Sequence, residues 1–142
     1  MRTRGSGFSN WGAGIGSNIN APYDPDQMKS LKSTYDASSY GGFSFWARVG
    51  SGSTPTVRFQ VPNVDTDPDG KTCKECNNHF GKNLTLGTKW NKYTVRFSEL
   101  RQAAGWGDRI ASFSATKIFA VQFQFDKGQT FDLWVDDLAL VK

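Results

Sequence analysis

The 142-residue chain carries 17 Lys and Arg against 13 Asp and Glu, a net charge of +4, together with 15 glycines and 14% aromatic residues. No apolar run is long enough to span a membrane, no apolar signal-peptide core follows Met1, and the basic residues are too dispersed for a nucleic-acid-binding block. The length predicts a single domain, residues 1–142, and the composition favours an all-β fold.

The first forty residues predict little regular structure. Residues 5–20 combine glycines with Phe8, Trp11 and Ile15, which indicates either a short strand over 11–16 or a glycine-rich bulge close to another backbone. Trp11 is interpreted as a packing residue, as is Trp90. A loop over 21–31 leads towards the first clear strand.

Two central segments alternate with a period of two, the pattern of half-buried strands. In residues 41–50 and 56–62 the apolar residues predicted to face the core are Phe43, Phe45, Ala47, Val49, Val57, Phe59 and Val61. The residues predicted to face away are Trp46, Arg48, Arg58 and Gln60.

Residues 83–86 and 90–97 predict a strand pair around a Gly87-Thr88 turn, and residues 98–104 predict about two turns of helix. The next segment, residues 104–108, is a glycine-rich loop that carries Trp106.

The C-terminal stretch KIFAVQFQFDKGQTFDLWVDDLALV, residues 117–141, predicts two strands joined at 126–130. Its polar positions include Gln122 and Gln124, which face away from the core. Some seven short strands with regular turns predict a jelly-roll β-sandwich of antiparallel strands.

The long loop over 63–82 contains both cysteines, Cys73 and Cys76. This spacing is compatible with a redox motif, half of a zinc site or a local disulfide. Because there is no βαβ pattern and His79 is the only other soft ligand nearby, a loop-closing disulfide is favoured. A disulfide would indicate an extracytoplasmic protein.

The same loop matches the opening of a calcium-binding loop, D-x-D-x-D-G, at Asp65, Asp67, Asp69 and Gly70. The twelfth position should be a bidentate Glu, but Cys76 stands there. The match is partial, so a turn-rich acidic loop is the alternative interpretation.

Nearly the whole chain is covered by a series of recognisable segments. In chain order they are GSGFSNWGAGIG, YGGFSFWARVG, VRFQVPNVDTDPDGKTC, HFGKNLTL, WNKYTVRFSEL and IFAVQFQF with FDLWVDDLALV. In this order they resemble β-sandwich carbohydrate-binding modules of the galactose-binding-domain-like group. They are similar to the family 11 modules of bacterial polysaccharide-degrading enzymes.

The resemblance implies a non-catalytic, secreted module that binds a polysaccharide on the concave face of one sheet and targets an attached enzyme to cell-wall glycan. It also implies a structural Ca²⁺ shared with a C-terminal carboxylate such as Asp136. Family members carry an additional N-terminal segment with a first strand, which this chain is expected to lack. An edge strand without a partner would favour a homodimer.

A sugar site needs aromatic faces for the apolar side of a pyranose and planar polar groups for its hydroxyls. We expect both on one sheet face, and the predicted glycan-binding residues are Trp46, Arg48, Arg58, Gln60, Gln122, Gln124 and Trp106. No membrane partner and no specific nucleic acid is expected.

Catalysis has little support, because a glycosidase needs paired carboxylates and the only glutamates are Glu75 and Glu99. Two alternatives remain open. One is a structural or interaction β-sandwich without glycan affinity, and the other is a small polysaccharide lyase or hydrolase.

Overall fold

The computed structural model describes all residues, Met1–Lys142, as ten strands and two short 3₁₀ helices. The strands are β1 (Arg2–Gly5), β2 (Ala13–Asn18), β3 (Tyr23–Asp24), β4 (Lys29–Ser30), β5 (Gly42–Val49), β6 (Thr56–Val61), β7 (Phe80–Thr85), β8 (Asn91–Arg96), β9 (Ala120–Phe125) and β10 (Phe131–Val141).

Eight strands form two four-stranded antiparallel sheets, which we call sheet A and sheet B. Sheet A has the order β1-β10-β5-β8 and sheet B has the order β2-β9-β6-β7. Strands β3 and β4 form a separate two-stranded hairpin. The all-β sandwich of antiparallel strands predicted from the sequence is therefore confirmed.

The chain crosses between the sheets at most connections. Strands β9 and β10, predicted as neighbours along the C-terminal stretch, lie in different sheets, and so do β7 and β8. The predicted strand pair around Gly87-Thr88 is therefore wrong. Alternation tells which side of a strand is buried, but it does not tell which strand lies beside it.

Strand β1 comes from a segment in which the sequence predicted no element. It pairs with β10, and the terminal ammonium of Met1 donates to the carbonyl oxygen of Val135 at 2.7 Å. One edge of sheet A is thus formed by β1. Dimerisation through an edge strand stays a prediction.

The core lies between the sheets and is largely aromatic. Phe45 of sheet A meets Phe59 and Phe123 of sheet B with ring centroids 5.3 and 5.1 Å apart. Phe125 and Phe131 stack at 4.3 Å and join the ends of β9 and β10 across the interior. Every large residue predicted to face inward on β5 and β6 is buried.

The helix predicted over 98–104 is only a 3₁₀ turn, Phe97–Glu99. Leu100 is already extended, and Arg101 exchanges backbone hydrogen bonds of 2.9 Å with Gly81 of β7. Tertiary pairing with the sheet therefore overrides the local helix preference. The structure contains no helix that could cross a membrane.

Candidate functional site

The residues predicted to bind glycan divide between the two outer faces of the sandwich. Arg58 and Gln60 on β6 pair with Gln124 and Gln122 on β9, which places all four on the outer face of sheet B. Trp46 and Arg48 lie on β5, in the opposite sheet. The expectation of one shared face is therefore wrong, because β5 does not neighbour β6 or β9.

On sheet B the outward residues form two rows across the four strands. The first row is Gly14, Gln124, Arg58 and Asn83. The second row is Gly16, Gln122, Gln60 and Gly81. The central strands β9 and β6 carry Gln124, Arg58, Gln122 and Gln60, which form the floor of the face, whereas Asn83 lies on the edge strand β7.

Glycines occupy both ends of the second row, on the edge strands β2 and β7. A β-carbon at Gly16 would stand 2.7 Å from the carbonyl oxygen of Val121, and one at Gly81 would stand 2.4 Å from that of Phe59. Such distances require the neighbouring strand to shift, so no side chain is tolerated there. Gln122 therefore has no side chain beside it on β2 and stays partly exposed. Gln60 is buried at 8% exposure, because the guanidinium carbon of Arg58 lies only 3.2 Å from the β-carbon position of Gly81.

The amides of Gln60 and Gln122 form no hydrogen bond to any protein group, whereas backbone donors and acceptors around them are paired in the sheet. Gln124 donates through Nε2 to the carbonyl oxygens of Trp11 at 3.2 Å and Phe125 at 3.1 Å. Each amide offers donors and an acceptor in one plane, which suits pairs of sugar hydroxyls.

Arg58 is held rigidly beside these amides. Its guanidinium donates to Asn83 Oδ1 at 3.1 Å and to the carbonyl oxygen of Arg101 at 2.6 Å, while Nε is buried without a partner. Burial lowers the pKa of Arg58 from its ordinary value, and the carboxylate of Asp126 opposes this effect. The group remains a fixed planar donor.

Two exposed tryptophans lie on segments that adjoin the edge strands of sheet B. Trp11 precedes the edge strand β2 and is 90% exposed, so its interpretation as a packing residue is wrong. Trp106 lies in the loop between the 3₁₀ turn Phe97–Glu99 and β9 and is 49% exposed. Its carbonyl oxygen accepts from Nδ2 of Asn78, two residues before β7, at 2.6 Å. The exposed indole of Trp11 could not be predicted, because a single aromatic in a glycine-rich segment has no periodic neighbours.

The outer face of sheet A is organised differently. Arg2, Trp134 and Arg48 follow one another across β1, β10 and β5, and both guanidinium groups stack on the indole at 4.2 and 4.4 Å. Arg2 also donates twice to Asp132, at 2.9 Å each, which lowers the pKa of that carboxyl. Trp46 lies in the next row and is 39% exposed.

The carboxylates predicted to hold calcium do not converge. Lys32 Nζ lies between Asp67 and Asp69, at 2.6 and 3.0 Å, and Asp65 contacts the amide of Asn63. Asp136 lies on β10, opposite Trp46. No three acidic, His or Cys side chains in the chain are close enough to share an ion, so these donors do not fit Ca²⁺ in this arrangement. Calcium binding stays a prediction.

Two features fix the long loop between β6 and β7. Cys73 and Cys76 form a disulfide with a Cα–Cα distance of 5.2 Å. His79 is buried, with Nδ1 2.9 Å from Thr66 Oγ1, and burial lowers its pKa to about 4 despite the nearby carboxylate of Asp67. The histidine is therefore a neutral supporting residue at physiological pH.

The two glutamates lie in different environments. Glu99 accepts from Lys82 and from the backbone N–H of Arg96, and these bonds lower its pKa. The other glutamate, Glu75, lies in the disulfide loop, where its carbonyl oxygen accepts from the backbone of Asp108.

No protein-family model matches this chain, and no curated protein matches it. Among solved structures it is similar to the family 11 carbohydrate-binding module from Clostridium thermocellum in complex with a β-1,3-1,4-mixed-linked tetrasaccharide. The sequence identity is 15%, the TM-score is 0.60, and the match covers 99% of this chain and 87% of that one.

It is also similar to the family 11 module of a cellulosomal cellulase of Clostridium thermocellum, at 13% identity and a TM-score of 0.61 over 99% and 86% of the two chains. A family 30 carbohydrate-binding module matches at 12% identity and a TM-score of 0.63 over 98% and 74%. At these identities the likeness shows the fold, which is that of carbohydrate-binding modules.

Proposed function

We propose that the protein is a non-catalytic module that binds neutral polysaccharide on the outer face of sheet B. The observation that carries this proposal is Gln122, a partly exposed amide that forms no hydrogen bond in the protein and lies beside Gly16, which has no side chain. The second unbonded amide, that of Gln60, lies next to it at 8% exposure. A sugar chain offers hydroxyls to these amides and apolar ring faces to the two exposed tryptophans.

The charge of this face favours a neutral ligand. Arg58 is the only charged side chain in its two central rows, and two of its nitrogens are already bonded within the protein. Recognition therefore depends on amide contacts and stacking. Because one structural neighbour binds a β-1,3-1,4-mixed-linked tetrasaccharide, that class of glucan is the first ligand to test.

In a cell, such a module would be secreted and would carry an attached enzyme to cell-wall glycan. The fold likeness to carbohydrate-binding modules supports this role. A disulfide is also more common in extracytoplasmic proteins than in the cytosol.

Titration calorimetry with a mixed-linked glucan tetrasaccharide tests the site. Replacing Gln122 with Ala should weaken binding by about 1–3 kcal/mol, because the change leaves a sugar hydroxyl without its partner. Replacing Arg58 with Ala should weaken binding by a similar amount, because it removes the bonds to Asn83 and to the carbonyl oxygen of Arg101 that hold the face in place. The matched control is Thr94→Ala, on the exposed outer side of β8 in sheet A. Unchanged affinity in both sheet B variants would move the site elsewhere.

Affinity electrophoresis on a panel of soluble glycans tests the function itself. Retardation by at least one neutral glycan, lost in Gln122→Ala, supports the proposal. If no glycan retards the wild-type protein, the chain is a structural or interaction sandwich instead.

A further inference from the structure

The outer face of sheet A holds a pattern that neutral-glycan binding on sheet B does not use. Trp46 on β5 pairs with Lys92 on β8. In the adjacent row Arg48 lies over the ring of Trp90, at 5.5 Å from its centroid. We call Trp46, Lys92, Arg48 and Trp90 the sheet A cluster. Indole and cation alternate both along each strand and between the two neighbouring strands.

Both indoles of the cluster remain open to solvent. Trp46 is 39% exposed and Trp90 is 41% exposed. Neighbouring strands lie about 4.8 Å apart, and residues two apart along a strand lie about 6.7 Å apart. Each exposed ring therefore has a cation within one side chain's reach.

The two cations have no anionic partner in the protein. Neither Arg48 nor Lys92 forms an ion pair; the ion pairs of the structure are Arg2–Asp132, Lys32–Asp67, Lys32–Asp69 and Lys82–Glu99. Arg48 also forms no hydrogen bond, although it is stacked between Trp134 and Trp90 at 4.4 and 5.5 Å. A guanidinium clamped by two rings keeps its planar N–H edge free and already oriented for a carboxylate.

The surrounding charge favours an anion as well. Strand pairing places five cations on this outer face: Arg2, Arg4, Arg48, Lys92 and Arg96. The paired positions on the same face carry two carboxylates, Asp132, which is bonded to Arg2, and Asp136, and the exposed Asp137 follows in the bulge of β10. The face therefore carries an excess of positive charge, whereas sheet B has only Arg58 in its two central rows.

We infer that the sheet A cluster is a second binding site, for an acidic polysaccharide built of uronic acid units. Trp46 and Trp90 stack on the apolar faces of two sugar rings, while Lys92 and Arg48 pair with the ring carboxylates. The inference does not depend on the neutral-glycan site, because the two faces share no residue.

The fixed geometry argues for a sugar acid rather than a nucleic acid. A polyuronate carries its carboxylate directly on the ring that stacks, so charge and apolar face arrive together at adjacent positions. Bases and phosphates of a single-stranded nucleic acid are separated by the sugar, and such strands are usually held in a groove lined with cations.

The test uses the complete chain and calorimetric titration with tetragalacturonate at low ionic strength. Wild-type protein should bind. Arg48→Gln should weaken binding about tenfold or more, and Arg48→Lys should lose most of that affinity too, because a point charge does not replace the planar fork. Lys127→Gln, in the turn between β9 and β10, removes one charge away from the cluster and should change the affinity less than twofold.

Trp46→Ala separates a shaped site from a merely basic surface, because it leaves the charge unchanged. Affinity should fall about tenfold, and in the wild type the indole N–H resonances of Trp46 and Trp90 should shift on titration. Absence of tetragalacturonate binding, or an unchanged affinity in Trp46→Ala, would overturn the inference. So would tighter binding of a single-stranded oligodeoxynucleotide than of tetragalacturonate.

Discussion

On sheet A, the aromatic and charged residues of the outer face are largely stacked on or bonded to one another, as in the row Arg2, Trp134 and Arg48. On sheet B, the central amides Gln60 and Gln122 are bonded to nothing in the protein. The first arrangement stabilises the fold as well as exposing cations, whereas the second contributes little to stability. The stacked row on sheet A thus contributes to the free energy of unfolding, whereas the unbonded amides on sheet B are left available for a ligand.

The difference teaches that outward polarity alone does not locate a binding face. What distinguishes the positions is whether the particular side chain already has a partner: Arg58 on sheet B and Arg2 on sheet A do, whereas Gln122 on sheet B and Lys92 on sheet A do not. Stability and affinity measurements on matched variants can therefore separate them, because a residue bonded within the protein affects the former and an unbonded one the latter.

The largest expected effect is on stability, from Trp134→Ala on sheet A. The half-buried indole packs against Arg2 and Arg48, and its removal should lower the free energy of unfolding by about 2–3 kcal/mol. Gln122→Ala on sheet B should change it by less than about 0.5 kcal/mol. Urea denaturation measures both. Equal losses in the two variants would remove the distinction between the faces.

The second effect is on the pH dependence of stability, through the buried His79 that directly precedes β7 of sheet B. Burial lowers the pKa of His79 to about 4, whereas its ordinary pKa, expected in the unfolded chain, is 6.5. Between these two pH values the unfolded chain binds more protons than the folded chain does. Stability is therefore full above pH 6.5 and falls as the pH drops towards 4. The expected loss from this residue between pH 7 and pH 4.5 is about 2–3 kcal/mol.

The control for this pH dependence is His79→Gln, which retains a polar group for Thr66 but cannot titrate. The slope of unfolding free energy against pH should become shallower in this variant, and the remainder reports carboxyls such as Asp132. An identical slope in wild type and variant would show that His79 titrates normally in the fold.

The smallest expected effect comes from Gly14→Ala on β2. The added β-carbon would lie 2.8 Å from Gln124 Oε1, a flexible amide end, and 3.6 Å from the nearest backbone oxygen. The amide should move while the strand stays, which weakens neutral-glucan binding by about 0.5–1 kcal/mol. Ser17→Ala on the same strand is the comparison variant in calorimetry. Unchanged affinity would place the ligand away from β2.

The sequence predicted the fold class and the buried side of each long strand, because period-two alternation records burial directly. It did not predict that Trp46 and Gln122 lie on opposite faces. Both are outward residues, and only non-local pairing assigns β5 to sheet A and β9 to sheet B. The helix expected after β8 failed for the same reason, since Arg101 pairs with Gly81 across the chain.

The exposed tryptophans were harder still to assign. Trp90 and Trp11 stand just before strands, where alternation has not begun, and a lone aromatic is equally compatible with packing and exposure. The stacking of Arg48 over Trp90 requires the register of β5 against β8, which no local pattern contains.

The repeated crossing of the chain between sheets has a consequence for folding. Strand β1 pairs with β10, and β2 pairs with β9, so the first residues reach their partners only when the last ones have been made. Topologies dominated by such distant pairings fold slowly, on the order of milliseconds to seconds. The four strands of sheet B cannot assemble before β9 has been made, and those of sheet A cannot assemble before β10, so a fragment that ends before β9 would carry neither complete surface.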